Sequence, residues 1–262
     1  MPSYYAHYRF GTAVLATLPA DTRRSIQRFR RLYDVGLHGP DLFYYYNPFS
    51  KNGTGILGIK YHEQTGKSFF TRVCRTIRME RSEAASAYLY GVLCHYVLDS
   101  VMHPCILQAA SETGVSHARL ESEFDRYLLE LDDKLPADGQ RLAGHLKLTE
   151  GECDTVARFY PPATSKAVKG ALDSTVWAVK LIAMPEGPGR KLLEAGLKLA
   201  GKPLEDMLLR SKPDPRCARL NEPMMEHYLL AMQQFPEYLR QLQAHMTYSA
   251  ALEEEYTPPF CG

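Results

Sequence analysis

His95, Asp99 and His103 stand four residues apart inside Ala-Ala-Ser-Ala-Tyr-Leu-Tyr-Gly-Val-Leu-Cys-His-Tyr-Val-Leu-Asp-Ser-Val-Met-His, a segment that is apolar almost throughout. A helix that is apolar on every side belongs in a protein interior, and a spacing of four puts the three polar side chains on one stripe. A buried carboxylate costs several kcal/mol unless a cation or hydrogen-bond donors meet it. The chain must therefore build a core around this helix and bring positive charge to Asp99; a divalent metal ion with imidazole and carboxylate ligands does both. At ~1.5 Å rise per residue His95 and His103 are roughly 12 Å apart along the axis, beyond one coordination sphere, so two metal positions are implied.

A second pair at the same spacing comes directly after. Beyond a turn at Gly114, Ser116 is a helix N-cap candidate, and His117-Ala-Arg-Leu-Glu121 opens a helix to about Leu131 with Leu120, Phe124, Tyr127, Leu128 and Leu131 on one face. This pair can complete the site that His103 begins. One buried histidine is more often a hydrogen-bonded core residue than a ligand, but five His, Asp and Glu residues in connected i, i+4 pairs favour metal.

The remaining organisation is also helical. Asp21 to Val35 reads as a helix with Asp21 as N-cap and a stop near Gly36 and Gly39. Its arginines at 23, 24, 28, 30 and 31 form a solvated face. The core segment runs from Ser82 to about His103, where Pro104 disfavours helical geometry. Val168 to Ala183 carries an amphipathic helix ended by Pro185 and Gly187, with Trp177 assigned to the core. Shorter helices are expected near 190–200 and 203–211, and a long one from Asn221, kinked at Pro236, towards Tyr248. Gly36 to Gly66 reads as a long irregular loop, rich in aromatic residues, and loops of that length are usually functional. Strand patterns are nearly absent, so the expected fold is all-α, a single multi-helix domain over 1–262.

Composition narrows the function. With formal net charge +1, the chain lacks the positive excess that holds nucleic acid by counterion release. No segment offers the ~18–20 uninterrupted apolar residues of a membrane span, and the N-terminus has no signal-peptide pattern. The six cysteines form no CxxC pair. A cytoplasmic protein is expected.

The HxxxD helix followed by HxxxE, preceded by the Pro-Asp of the loop, a lone His62 and an N-terminal His7, resembles the zinc-dependent phospholipase C family, related in fold to single-strand nucleases of the S1/P1 type. The ordered match runs from His7 to Glu121. The resemblance implies one zinc held by Asp41, His62, His95 and Asp99 and a second by His103, His117 and Glu121. In the family the HxxxD aspartate bridges to a third zinc, which also takes an N-terminal histidine, here His7, and the amino group of a processed N-terminal tryptophan. This sequence has no such tryptophan. Secreted members also place a longer interval, with a proline, before the histidine that corresponds to His103.

The implied activity is phosphodiester hydrolysis by metal-bound hydroxide, with Asp41 orienting or deprotonating the water and a phospholipid head group as candidate substrate. Alternatives are a hydrolase of a soluble phosphoester or nucleic acid, and a non-catalytic metal protein. Imidazole and carboxylate ligands also suit iron or manganese. Phe43-Tyr44-Tyr45-Tyr46 could line a pocket for a quaternary ammonium group, though packing of the loop onto the core is the favoured role. His38 is a partner for a ligand or an exposed loop residue; Asp125 orients a ligand or faces solvent. His145, His227 and His245 lack carboxylate partners at metal-like spacing.

Overall fold

The computed structural model describes residues 3–46, 53–199 and 204–260. Among them the chain forms α1 (Tyr4–Thr17), α2 (Ala20–Arg28), α3 (Arg30–Gly36), α4 (Gly53–His62), α5 (Gly66–Glu80), α6 (Glu83–Thr113), α7 (His117–Leu131), α8 (Glu150–Ala157), α9 (Ser165–Ile182), α10 (Pro188–Leu199) and α11 (Asn221–Tyr248), with short 3-10 turns at Gly39–Phe43, Leu204–Met207 and Glu254–Tyr256. No strand occurs among the described residues, and the all-α expectation holds. No described helix is long and apolar enough to cross a membrane.

α6 is the axis of the molecule. It packs most extensively against α3 and α11 and also touches α1 and α7. Residues Tyr88, Leu89, Val92, Leu93, Tyr96 and Val97 are fully buried around its circumference. Ser82 caps its start by accepting from the Ala85 amide, and Gly114 ends it with φ +70. Contrary to the sequence expectation, the helix does not end at His103: Pro104 lies inside it and the helix continues to Thr113. Proline removes one backbone donor and strains the preceding turn, but burial of Ile106 and Ala109 beyond it holds the segment helical.

The contact between α3 and α6 is made backbone to backbone. A Cβ on Gly91 would lie 2.3 Å from the Tyr33 carbonyl oxygen, and one on Gly36 would lie 2.5 Å from that of Tyr88. Two glycines facing one another let the helices approach closely, so that the Gly39–Phe43 turn just after α3 reaches the middle of α6.

Four other expectations are corrected. The Asp21–Val35 helix is two helices, broken at Phe29 (φ −120, ψ 37), and Pro19 rather than Asp21 occupies the N-cap. The region 36–66 is not irregular throughout: it contains the 3-10 turn and α4, while residues 47–52 lie outside the described part. Only a short 3-10 turn at Leu204–Met207 stands where a helix over 203–211 was expected. Trp177, expected in the core, is 53% exposed, because the buried face of α9 is made by Val168, Ala171, Leu172, Thr175, Ala178 and Val179. The arginines of α2 and α3 are ion-paired at the surface, Arg28 with Glu83 and Arg31 with Glu152.

Candidate metal centre

Five elements deliver the eight expected ligands to one buried region. α1 supplies His7, the 3-10 turn supplies Asp41, the last residue of α4 is His62, α6 supplies His95, Asp99 and His103, and α7 supplies His117 and Glu121. Each element has a local reason to be where it is. α7 starts at Ser116, whose hydroxyl accepts from the Arg119 amide, so His117 is its first residue and Glu121 lies one turn further on. α1 has no cap of its own; Asp125 of α7 provides it, accepting from the amides of Tyr5 (3.0 Å) and Ala6 (2.8 Å). Asp125 is therefore buried and acts on the helix that carries His7, neither facing solvent nor orienting a ligand directly.

The ligand atoms fall into three groups, each with its members within 4.8 Å of one another: Asp41, His62 and His95; His7, His95 and Asp99; His103, His117 and Glu121. Asp99 is the hub. One of its oxygens lies 3.2 Å from His7 Nε2 and 3.9 Å from His103 Nε2, and the other lies 3.3 Å from His95 Nε2. Glu121 Oε1 lies 3.1 Å from His117 Nε2 and 3.8 Å from His103 Nε2. His7, Asp99, His103 and Glu121 share the wall of one small space of about 10 Å³, room for about one water or an ion. His95 is common to two groups, and Asp99, which the resemblance makes a bridge between the Asp41 site and the His7 site, groups here with His7 and His95.

Burial sets the electrostatics. Asp41, Asp99 and Glu121 are 2%, 2% and 1% exposed, and among the described residues no lysine or arginine pairs with them. Burial alone raises a carboxyl pKa. Here nearby positive charge reverses it: the N-terminal ammonium first and then His62 and His95 hold Asp41 below the usual range, His95, His103 and His7 do so for Asp99, and His103 and His117, with the N-terminal ammonium, for Glu121. His95 itself is pushed down to about 4 by burial, against the pull of Asp99. Three ionised carboxylates thus share the interior with rings that burial keeps from all being cationic.

His62 makes the need for a cation explicit. Its Nδ1 lies 2.7 Å from the Gly58 carbonyl, which can only accept, so Nδ1 carries the proton. In the neutral ring Nε2 then presents a lone pair 2.8 Å from Asp41 Oδ1, and the two atoms do not align as a hydrogen bond. With the ring neutral, acceptor faces acceptor, and the contact is relieved either by a second proton on Nε2 or by a metal ion bound to both atoms. Both Asp41 Oδ1 and His62 Nε2 lack hydrogen-bond partners, as do Asp99 Oδ2, both nitrogens of His95 and both oxygens of Glu121. A donor set of imidazole nitrogens and carboxylate oxygens, buried and unsatisfied, fits zinc.

Sequence reasoning missed one contributor and left the role of another open. Gly39 has φ +46, and a Cβ there would lie 2.5 Å from the His95 ring, so glycine is what allows the turn carrying Asp41 to close on His95. His38 is buried rather than exposed, and its Nε2 is 2.7 Å from Nε2 of His145, a residue for which spacing gave no partner. No local pattern could join residues 107 positions apart. The aromatic run divides: Phe43 is buried against Tyr160, the Tyr46 ring packs where Gly170 has no side chain, and Tyr44 lies 4.7 Å from the His62 ring. His227 is bonded to the Pro223 carbonyl and His245 to that of Ala250, both far from the cluster in role.

Neither a curated protein nor a solved structure matches the chain. A family model does: the one described as zinc dependent phospholipase C matches residues 6–171, a span that includes every expected ligand from His7 to Glu121. That is well over half of the 262 residues. With its ligand order, its helical fold and this match in agreement, the chain belongs to the zinc-dependent phospholipase C family.

Proposed function

We propose that the protein is a zinc-dependent phosphodiesterase that hydrolyses a phospholipid-type head-group ester. The observation that carries this reading is the buried cluster of imidazole nitrogens and carboxylate oxygens without hydrogen-bond partners, His62 Nε2 against Asp41 Oδ1 among them, gathered in three groups of ligand-like spacing. Zinc bound among these residues would lower the pKa of a water to about 7 and offset charge on phosphoryl oxygens. The chain's own residues do the rest. Asp41, kept ionised by the N-terminal ammonium and the neighbouring imidazoles, accepts a hydrogen bond from the attacking water and orients it. Asp99, reached by three imidazoles, fixes the rings of His7, His95 and His103 relative to one another. His117 is the ligand with an exposed edge, its side chain 33% accessible against 3% or less for the others measured with it. The substrate phosphoryl group approaches from that side. The reading places the protein in a reducing compartment, where Cys74, Cys94, Cys105, Cys153 and Cys217 stay thiols.

Burial of the other ligands favours one competing reading, a closed metal site that serves structure alone, since catalytic zinc keeps an open position. Metal analysis of the purified protein, combined with hydrolysis of a chromogenic phosphodiester and of a phosphatidylcholine analogue, separates the two. Turnover of both substrates with loss on chelation is the expected result. Turnover of the soluble ester alone moves the substrate away from lipid, and bound zinc without turnover of either sinks the enzyme reading.

A further inference from the structure

Beside the metal centre, on the other side of His38, lies an open recess of about 330 Å³ lined by Tyr4, Tyr5, Tyr8, Lys134, Arg141 and His145, among others. Its volume is that of a small-molecule pocket. The His38 ring sits 5.1 Å from the Tyr4 ring and 5.0 Å from the His145 ring, and Tyr8 stacks on His145 at 4.2 Å. The back of the recess is thus a continuous aromatic wall, with Tyr4 and Tyr5 buried in it.

The front is cationic. Lys134 and Arg141 are both exposed, and the Lys134 ammonium is anchored by donating to the Tyr5 hydroxyl at 2.6 Å. Tyr5 in turn donates to Asp132, whose charge is taken up by a two-pronged bond from Arg9 at 2.9 and 3.0 Å. The acid at the end of this chain of hydrogen bonds is therefore already neutralised by Arg9, and Lys134 is held in position rather than consumed by it. Arg141 makes no hydrogen bond or ion pair among the described residues, so its planar fork is available to an anion.

We infer that this recess binds an organic phosphomonoester with a flat or apolar body, the body lying against the partly exposed Tyr8 and His145 rings and the phosphate between Lys134 and Arg141. Two cations at the mouth match a dianion, and ring stacking adds affinity that inorganic phosphate cannot gain. The claim is one of binding and does not need the metal centre to turn over.

Calorimetric titration of the zinc-loaded full chain with phenyl phosphate and, separately, with inorganic phosphate tests it. Arg141→Glu reverses the front charge at an exposed position, and Tyr8→Leu removes the stacked ring while keeping an apolar side chain. Phenyl phosphate should bind at least fivefold more weakly to each variant than to the wild type, with inorganic phosphate, held at the metals, unchanged within twofold. Phenyl phosphate affinity within twofold of wild type in Arg141→Glu would overturn the proposal, as would equal losses for both ligands, which would show that the aromatic wall adds nothing to the binding of phosphate. Arg141→Glu keeps the test valid if Tyr8→Leu fails to fold.

Discussion

Asp99 bears the greatest consequence of any single side chain, because it stands within reach of three imidazoles at once. Asp99→Asn keeps the shape and removes the charge, so zinc affinity should fall by roughly 10–100-fold or more. Metal content after dialysis, measured by atomic emission, reads this directly; wild-type content would show that Asp99 is no ligand. His145 allows a pH prediction away from the ligands. Burial lowers its pKa to about 4, with Arg30 adding to the effect, against ~6.5 unfolded. The folded ring is neutral while the unfolded one protonates, so its contribution is present above pH ~6.5 and is lost as pH falls towards 4. In chelator-stripped protein the unfolding free energy from urea titration should drop between pH 6.5 and 4.5 by about 1–3 kcal/mol more in wild type than in His145→Gln. Parallel profiles would refute it. These two residues also mark what a sequence discloses. Asp99 is legible because its partners His95 and His103 sit on its own helix, one turn away on either side. The His38–His145 pair is not, because only the folded chain brings the rings together.

Among the elements, the α3–α6 crossing decides whether the site exists. With Gly91 against Tyr33 and Gly36 against Tyr88, neither position has space for a methyl group, and the nearest neighbours are backbone atoms that cannot move aside. Gly91→Ala should therefore cost about 1–3 kcal/mol or more, the range for overpacking a core. Because His95 comes one turn after Gly91, the substitution should also weaken zinc binding; thermal melting with metal titration measures both, and a wild-type melt would contradict the crossing described. A helical glycine reads in sequence as a weak position, so this contact is invisible there. Other elements escape for their own reasons. α1 is buried over Tyr4, Tyr5, Ala6, His7 and Phe10 and its cap comes from Asp125, so it shows neither a clear polar face nor a local start signal. α4 opens Gly-Thr-Gly, a composition that reads as loop, and it is packed against the 3-10 turn that carries Asp41. α6 and α7 are legible because their caps, Ser82 and Ser116, precede unbroken periodic segments; only the passage through Pro104 departs from the local signal, since packing around Ile106 and Ala109 outweighs the preference of the residue before a proline.

At the scale of the whole molecule, the centre lies where α1, the Gly39–Phe43 turn, α4, α6 and α7 meet, and the protein carries buried carboxylates at that junction instead of apolar packing. Without a cation, Asp41, Asp99 and Glu121 would repel one another across the interior and push these elements apart. Zinc binding and folding are therefore one equilibrium, since ions that bind the native arrangement and not the unfolded chain stabilise by RT ln(1 + [L]/Kd). At a free zinc concentration of ~1,000 Kd the gain is about 4 kcal/mol per site. At roughly 2–4 °C per kcal/mol for a chain of this size, removing one such ion lowers Tm by about 8–16 °C, and more for each further site. Calorimetry before and after chelation, with metal analysis of the same samples, should show that drop and its reversal by added zinc. The junction also sets which part suffers first. α1 is held partly by the Asp125 cap, so Asp125→Ala should cost about 1–2 kcal/mol and loosen His7 while the pair on α7 retains its metal. A Tm unmoved by complete removal of metal would mean that the imidazoles alone compensate the three carboxylates, and the coupling of centre to fold would fail.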